Sequence, residues 1–195
     1  MPSKPNPVST WREYFASMLA MPLHPLYAQI DPYLPKHGKA LELGAGVGHG
    51  VLHLLKKGLD VTAVDAEPEA ARILSERAPQ ATIIESRFKD KDLPSATYDV
   101  VVAGFSLFFL TQQELSEFWP RLLASMKSGA IFAGEFLGLN DDWAKEGYLG
   151  HPEPEIRRML SSFEILHWQE DERGGKTSQG TTKHWHVYHV VARLR

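Results

Sequence analysis

Apolar positions along this chain follow two rhythms. Short, dense apolar runs at 61–65, 81–85, 98–104 and 129–136 read as strands. Between them, apolar residues recur every three or four positions, as on one face of a helix. The clearest case is 111–127, with Leu115, Phe118, Trp119, Leu122, Leu123 and Met126. Glu67-Pro68 opens another helix, with proline at a tolerated first-turn position. Residues 154–160 predict a short helix. Alternating strands and helices predict a parallel sheet with helices on both faces. The last two predicted strands, 163–168 and 184–194, are separated only by the polar stretch 171–182, so they should form an antiparallel hairpin.

Within this frame one turn stands out. An apolar strand end, Leu41-Glu42-Leu43, runs into Gly44-Ala45-Gly46-Val47-Gly48-His49-Gly50, and Val51-Leu52-His53-Leu54-Leu55 follows at helical spacing. Glycine tolerates positive φ and leaves no Cβ, so the backbone can pass close under a ligand. The following helix presents free N–H groups in its first turn. A dinucleotide loop would place a third glycine at position 49, which is His49. An acid, Asp65, ends the next strand 21 positions after Gly44. Such an acid can take both hydroxyls of a ribose; the plainer reading is a helix N-cap.

The acid-x-G-x-G-x-G pattern of Glu42, Gly44, Gly46 and Gly48 resembles motif I of the class I S-adenosylmethionine-dependent methyltransferases. Leu93-Pro94 with Tyr98-Asp99-Val100-Val101 resembles that family's lead into its fourth strand. Met126-Lys127-Ser128-Gly129-Ala130 resembles its turn before the fifth. The resemblance covers about 37–195 and is nearest to tellurite-resistance-type and ubiquinone-biosynthesis-type enzymes. It implies an α/β, Rossmann-like, doubly wound seven-stranded sheet, mostly parallel, with the last strand antiparallel beside the fifth. It implies a single domain, with 1–36 as a helical lid on a catalytic core at 37–195. It also implies methyl transfer from S-adenosyl-L-methionine to a small-molecule acceptor. A nicotinamide-dependent oxidoreductase and a non-catalytic S-adenosylmethionine-binding protein are the alternatives.

Carried over residue by residue, the cofactor would meet Glu42, Gly44, Ala45, Gly46, Gly48, Asp65 and Ala66. An acid usually follows the third strand to meet adenine; here Ser86 or Arg87 stands in its place. Adenine would therefore rest on the backbone of Arg87 with Phe88 nearby, and Phe105 would lie beside the methyl site. The N-terminal segment carries Trp11, Tyr14, Phe15, Met18 and Leu19 at helical spacing. In the resembling enzymes such a segment covers the substrate, which would put Trp11, Tyr14 and Phe109 in the acceptor pocket; a helix merely packed on the sheet is the alternative. No Asn-Pro-Pro-Tyr motif follows the fourth strand, which argues against amino-group methylation of DNA bases and glutamine.

The C-terminal Lys183-His184-Trp185-His186-Val187-Tyr188-His189 adds chemistry of its own. On a strand, His184 and His186 share one face while Trp185 and His189 share the other. An antiparallel last strand begins at the carboxyl edge of the parallel strands, where open α/β sheets bind ligands. His184, His186 and Glu135 are therefore the candidate catalytic residues. Structural histidines are the alternative, or a metal held with Glu135 or Asp141; no metal ligand is assigned.

Composition narrows the class. With 21 basic and 24 acidic residues the net charge is −3, which offers no basic surface for nucleic acid. The absence of cysteine fits a reducing compartment, and no signal core or spanning run is visible, so the expectation is a cytoplasmic protein off the membrane. A monomer or weak homodimer is expected.

Overall fold

The structure, a computed structural model, describes residues 10–195. The proline-rich start of the segment expected to act as a lid therefore lies outside the described residues. In chain order the elements are α1 (Trp11–Leu19), α2 (Pro25–Ile30), β1 (Gly38–Leu43), α3 (His49–Lys56), β2 (Leu59–Asp65), α4 (Pro68–Arg77) and β3 (Thr82–Glu85). They continue as β4 (Tyr98–Ala103), α5 (Gln112–Ser125), β5 (Met126–Gly138), α6 (Asp142–Lys145), β6 (Gly150–His151), α7 (Glu153–Met159), β7 (Phe163–Lys176) and β8 (Thr182–Leu194).

One sheet runs in the order β3-β2-β1-β4-β5-β8-β7, with β6 beside the end of β5. β1 to β5 pair in parallel, and β8 lies antiparallel between β5 and β7. The expected doubly wound α/β sheet is thus the observed one. β1, β2 and β4 each feed a helix that returns to the start of the next strand, so the loops after β1, β2, β4 and β5 emerge at the carboxyl end.

Two boundaries differ from the sequence reading by more than two residues. β5 begins at Met126 instead of 129, because Met126 already pairs with Tyr98 before a bulge brings Val100 opposite Ile131. The polar stretch 171–182 is mostly strand: β7 continues to Lys176 against Thr182. Its side chains are polar because this part of the hairpin leaves the core, and cross-strand backbone pairing holds it regardless of hydropathy. The two-residue β6 carries no periodic signal at all.

The period-2 alternation of the strands sorts side chains between two cores. Leu41, Leu43, Val101 and Phe132 pack with Phe118 and Leu122 of α5. Ala40, Val100, Ile131 and Ala133 pack with Leu26 and Ile30 of α2 and with Leu54 of α3. α5 is started by Thr111 and Glu114, which bond each other's backbone N–H in a capping box. Glu42 on β1 and Glu135 on β5 both belong, by alternation, to the α2 and α3 side. That placement positions the site.

Candidate functional site

The turn after β1 is built from backbone geometry. Gly44, Gly46 and Gly48 have φ of 72, 53 and 81°. A Cβ on Gly44 would lie 2.6 Å from that of Ser106, in the loop after β4. The turn is tied to β2: Gly44 N–H donates to the Val64 carbonyl at 2.8 Å, and Gly46 N–H to Asp65 Oδ2 at 2.8 Å. Asp65 Oδ1 accepts from the N–H of Glu67, the N-cap of α4, at 3.0 Å. Asp65 is therefore not itself the N-cap of α4, which is Glu67. It organises the helix start and the glycine turn, and each carboxylate oxygen keeps a second lone pair. Burial raises its pKa, and the N–H groups of Glu67 and Gly46 pull the other way.

Beneath the turn, Glu42 is 5% exposed. Its Oε1 accepts from the Tyr27 hydroxyl at 2.8 Å, and its Oε2 is buried without a partner. Burial pushes the Glu42 carboxyl up to about 8, helped by Asp65 and opposed by the Tyr27 hydrogen bond. Burial, then Glu42, drives the Tyr27 phenol well above its ordinary value. A neutral carboxyl in this place, with one free oxygen, is poised to ionise when a cation arrives.

A second carboxylate lies across β4. Glu135 is 1% exposed. Its Oε1 accepts from His189 Nδ1 at 2.6 Å and lies 3.6 Å from His24 Nε2. Its Oε2 is buried and unpartnered, 3.6 Å from where a Cβ on Gly104 would sit. Next in the chain, Phe105 holds φ of 46°, a strained state for a residue with a side chain. Its ring meets His24 at 5.4 Å and Trp185 at 5.8 Å, both edge-on.

Of the three expected catalytic residues, the structure brings only Glu135 here. β5 and β8 pair Glu135 with His189, so odd-numbered positions of β8 face the carboxylate and His184 and His186 face away. The alternation was legible in sequence, but the register that decides which face meets Glu135 was not. His184 is 40% exposed and bonds Glu172 at 3.0 Å. His186 Nδ1 accepts the Asn140 N–H at 3.2 Å, which places the ring proton on Nε2 toward Glu170 at 2.9 Å. These two histidines form a cross-strand ladder with Glu170 and Glu172, and His186 is a fully bonded neutral ring. Asp141 is likewise engaged, by buried Lys183 and by the N–H groups of Trp143 and His186.

The N-terminal helix lies over the glycine turn. Phe15 packs on Val47, Ala70 and Ile73, and His49 Nε2 bonds the Met18 carbonyl at 2.9 Å. Trp11 meets Phe109 at 5.9 Å and Tyr14 at 5.6 Å, so the three expected pocket residues do come together. Burial, then Asp65, raises the Tyr14 pKa. After β3, Arg87 turns outward to Glu114, and the Phe88 ring packs on Phe118 at 5.3 Å. Phe88 is thus a core residue at its ring, and only the backbone of 86–88 faces the carboxyl edge. Ala66 sits exposed between Asp65 and the N-cap of α4.

Sequence reasoning missed Tyr27, His24 and His189. Tyr27 lies in the short α2 and His24 is the cap before it, where the sequence offers only a short element around Leu26 to Tyr33. His189 was set aside because it shares no face with His184 and His186.

Residues 40–129 match the model of a methyltransferase domain. A curated relative, an uncharacterized methyltransferase of Alkaliphilus oremlandii, is 25% identical over 113 residues, 57% of this chain and 51% of that protein. The match thus spans about half the length of that relative. Among solved structures, TehB of Haemophilus influenzae superposes with a TM-score of 0.77 at 17% identity, over 95% of this chain and 68% of that one. The 1,6-didemethyltoxoflavin-N1-methyltransferase of Burkholderia thailandensis, solved with 1,6-didemethyltoxoflavin and S-adenosylhomocysteine, gives 0.69 at 18% identity, over 97% and 92%. Among the described residues no helix is long and apolar enough to cross a membrane.

Proposed function

We propose that this chain is a class I S-adenosylmethionine-dependent methyltransferase and that it transfers the methyl group of S-adenosylmethionine to a small-molecule acceptor. The observation that carries this reading is the free, buried Oε2 of Glu42 beneath a glycine turn anchored to Asp65. An ammonium group satisfies that oxygen, and the N–H groups of the turn suit a carboxylate. Asp65 retains lone pairs for ribose hydroxyls, and the backbone at 86–88 is left for adenine. The residues present therefore fit S-adenosylmethionine, whose sulfonium supplies an electrophilic methyl group.

The chain's own task is to hold the acceptor in line and exclude water. In this reading α1 and α2 act as a lid on one catalytic unit. Trp11, Tyr14 and Phe109 bound the acceptor space from the lid side, and Phe105 bounds it from β4. The superposed toxoflavin-precursor enzyme, which acts on a small ring system, supports a small-molecule acceptor.

Calorimetric titration tests the proposal. S-adenosylhomocysteine and S-adenosylmethionine are expected to bind in the micromolar range, roughly −8 kcal/mol, and NADH is not. NADH binding without any response to S-adenosylhomocysteine overturns it.

A further inference from the structure

Three elements bring Glu135 of β5, His189 of β8 and His24 before α2 together beside Gly104, and the hydrogen bonds fix where the protons are. His24 Nδ1 accepts the Leu26 N–H at 3.3 Å, so its neutral ring carries the proton on Nε2, toward Glu135 Oε1. His189 Nδ1 lies 2.6 Å from the same oxygen. An ionised carboxylate only accepts, so this proton sits on Nδ1 and Nε2 keeps its lone pair. That Nε2 has no hydrogen-bond partner among the described residues, and neither has Glu135 Oε2. The arrangement is a base with a carboxylate behind it, each with one atom that no hydrogen bond occupies.

The surroundings describe what enters. Phe105 meets His24 on one side and Trp185 on the other, both edge-on, so the lining beside the cluster is aromatic. Lys183, on the same face of β8 as His189, is held by buried Asp141 and stacked on the rings of Trp143 and Trp185 at 4.5 and 4.0 Å. Its charge is therefore already matched. An anionic acceptor would meet the buried Glu135 carboxylate with Lys183 already paired, which is costly in a desolvated site.

Resting on the methyl-transfer reading above, we propose that His189, oriented by Glu135, takes the proton of the acceptor. The acceptor is then a flat, uncharged aromatic molecule whose methyl-accepting nitrogen or oxygen carries that proton. His189 Nε2 accepts the proton and Glu135 offsets the charge the ring gains. The freed lone pair of the acceptor forms the new bond to the methyl carbon. The methyl–sulfur bond breaks with its electron pair left on sulfur, and His189 then returns the proton to water. His24 is a positioning residue, holding Glu135 from the lid side.

The test combines a spectrum with turnover of named probes. In the full chain with S-adenosylhomocysteine, nitrogen-15 NMR is expected to show neutral His189 as the Nδ1–H tautomer, and Glu135→Gln should shift it toward Nε2–H. His189→Gln should leave the S-adenosylhomocysteine dissociation constant within about threefold, while methylation of benzimidazole or 2-naphthol falls by roughly 10²–10⁴-fold. Tellurite, an oxyanion, should not be methylated. An Nε2–H tautomer in the wild type, or turnover in His189→Gln within threefold of wild type, overturns the base. Methylation of tellurite in preference to both aromatic probes, or cofactor binding with neither aromatic probe methylated, overturns the acceptor class. Failure of the wild type to bind S-adenosylhomocysteine overturns the underlying methyl-transfer reading instead, and leaves the tautomer measurement standing on its own.

Discussion

The glycine turn and the Glu135 cluster lie on either side of β4, and they are built in opposite ways. The turn is a local object. Its glycines, the preceding acid and the closing Asp65 fall within 24 consecutive residues, Glu42 to Asp65, and its bonds run between neighbouring parallel strands. The Glu135 cluster is assembled from positions 24, 135 and 189, which meet only when α2, β5 and β8 dock. Both contain a buried carboxylate with one unpartnered oxygen. The turn depends on φ angles open to glycine, whereas the cluster depends on strand register. A local motif is broken by adding a side chain; a long-range one is broken by changing a hydrogen-bond partner.

The largest effects should come from filling the turn. Gly46→Val forces a branched side chain into a φ of 53°, below Phe15 of α1. Cofactor binding is expected to fall by more than a hundredfold, and an unchanged dissociation constant would place the ligand elsewhere. Gly50→Ala probes the same region from inside. Its Cβ would overlap the Tyr27 hydroxyl and Glu42 Oε1, so the pair must separate. A loss of about 2–4 kcal/mol in denaturant unfolding is expected, in line with other broken buried networks.

Glu42→Gln sharpens the contrast through pH. The folded chain holds the Glu42 proton up to about 8, against an ordinary 4.5. Between those values the folded state binds more protons than the unfolded one, so stability falls as pH rises through the window. Glutamine removes this titration. The variant should match the wild type below pH 4.5 and exceed it by a few kcal/mol, at most about 1.4 per unit of pH, near pH 8. Its affinity for S-adenosylmethionine should drop at least about tenfold as the ammonium loses its counter-charge. A stability difference independent of pH would contradict the buried neutral carboxyl.

Asp65→Ala should lower cofactor affinity by about tenfold or more. It should also cost the ligand-free protein about 1–3 kcal/mol, because the Gly46 and Glu67 N–H groups lose their acceptor. Affinity loss without any stability loss would mean that the turn holds itself. The smallest effect is expected at His184, whose exposed ring pairs with exposed Glu172. His184→Ala should change stability by less than about 1 kcal/mol and leave S-adenosylhomocysteine binding untouched. A large loss of turnover in that variant alone would move the base from His189 to the other face of β8.

What was legible follows from the range of each signal. The order of strands and helices, the glycine turn, Asp65 and the packing of Trp11 and Tyr14 all rest on periods and turn chemistry within about twenty residues. The sequence by itself therefore determined the sheet and the glycine turn with its closing acid. The hairpin gave away its alternation but not its partner. A one-residue change of register against β5 would put Tyr188 or Val190 opposite Glu135 and turn the face of His184 and His186 toward it, and no residue type distinguishes the two faces. Phe88 and Arg87 were placed near adenine by analogy of position, yet packing on Phe118 and pairing with Glu114 took their side chains away. Only the tertiary structure decided which imidazole has a buried carboxylate behind it, because that choice is made by strand pairing across more than fifty residues and by the docking of a six-residue helix that carries almost no signal of its own.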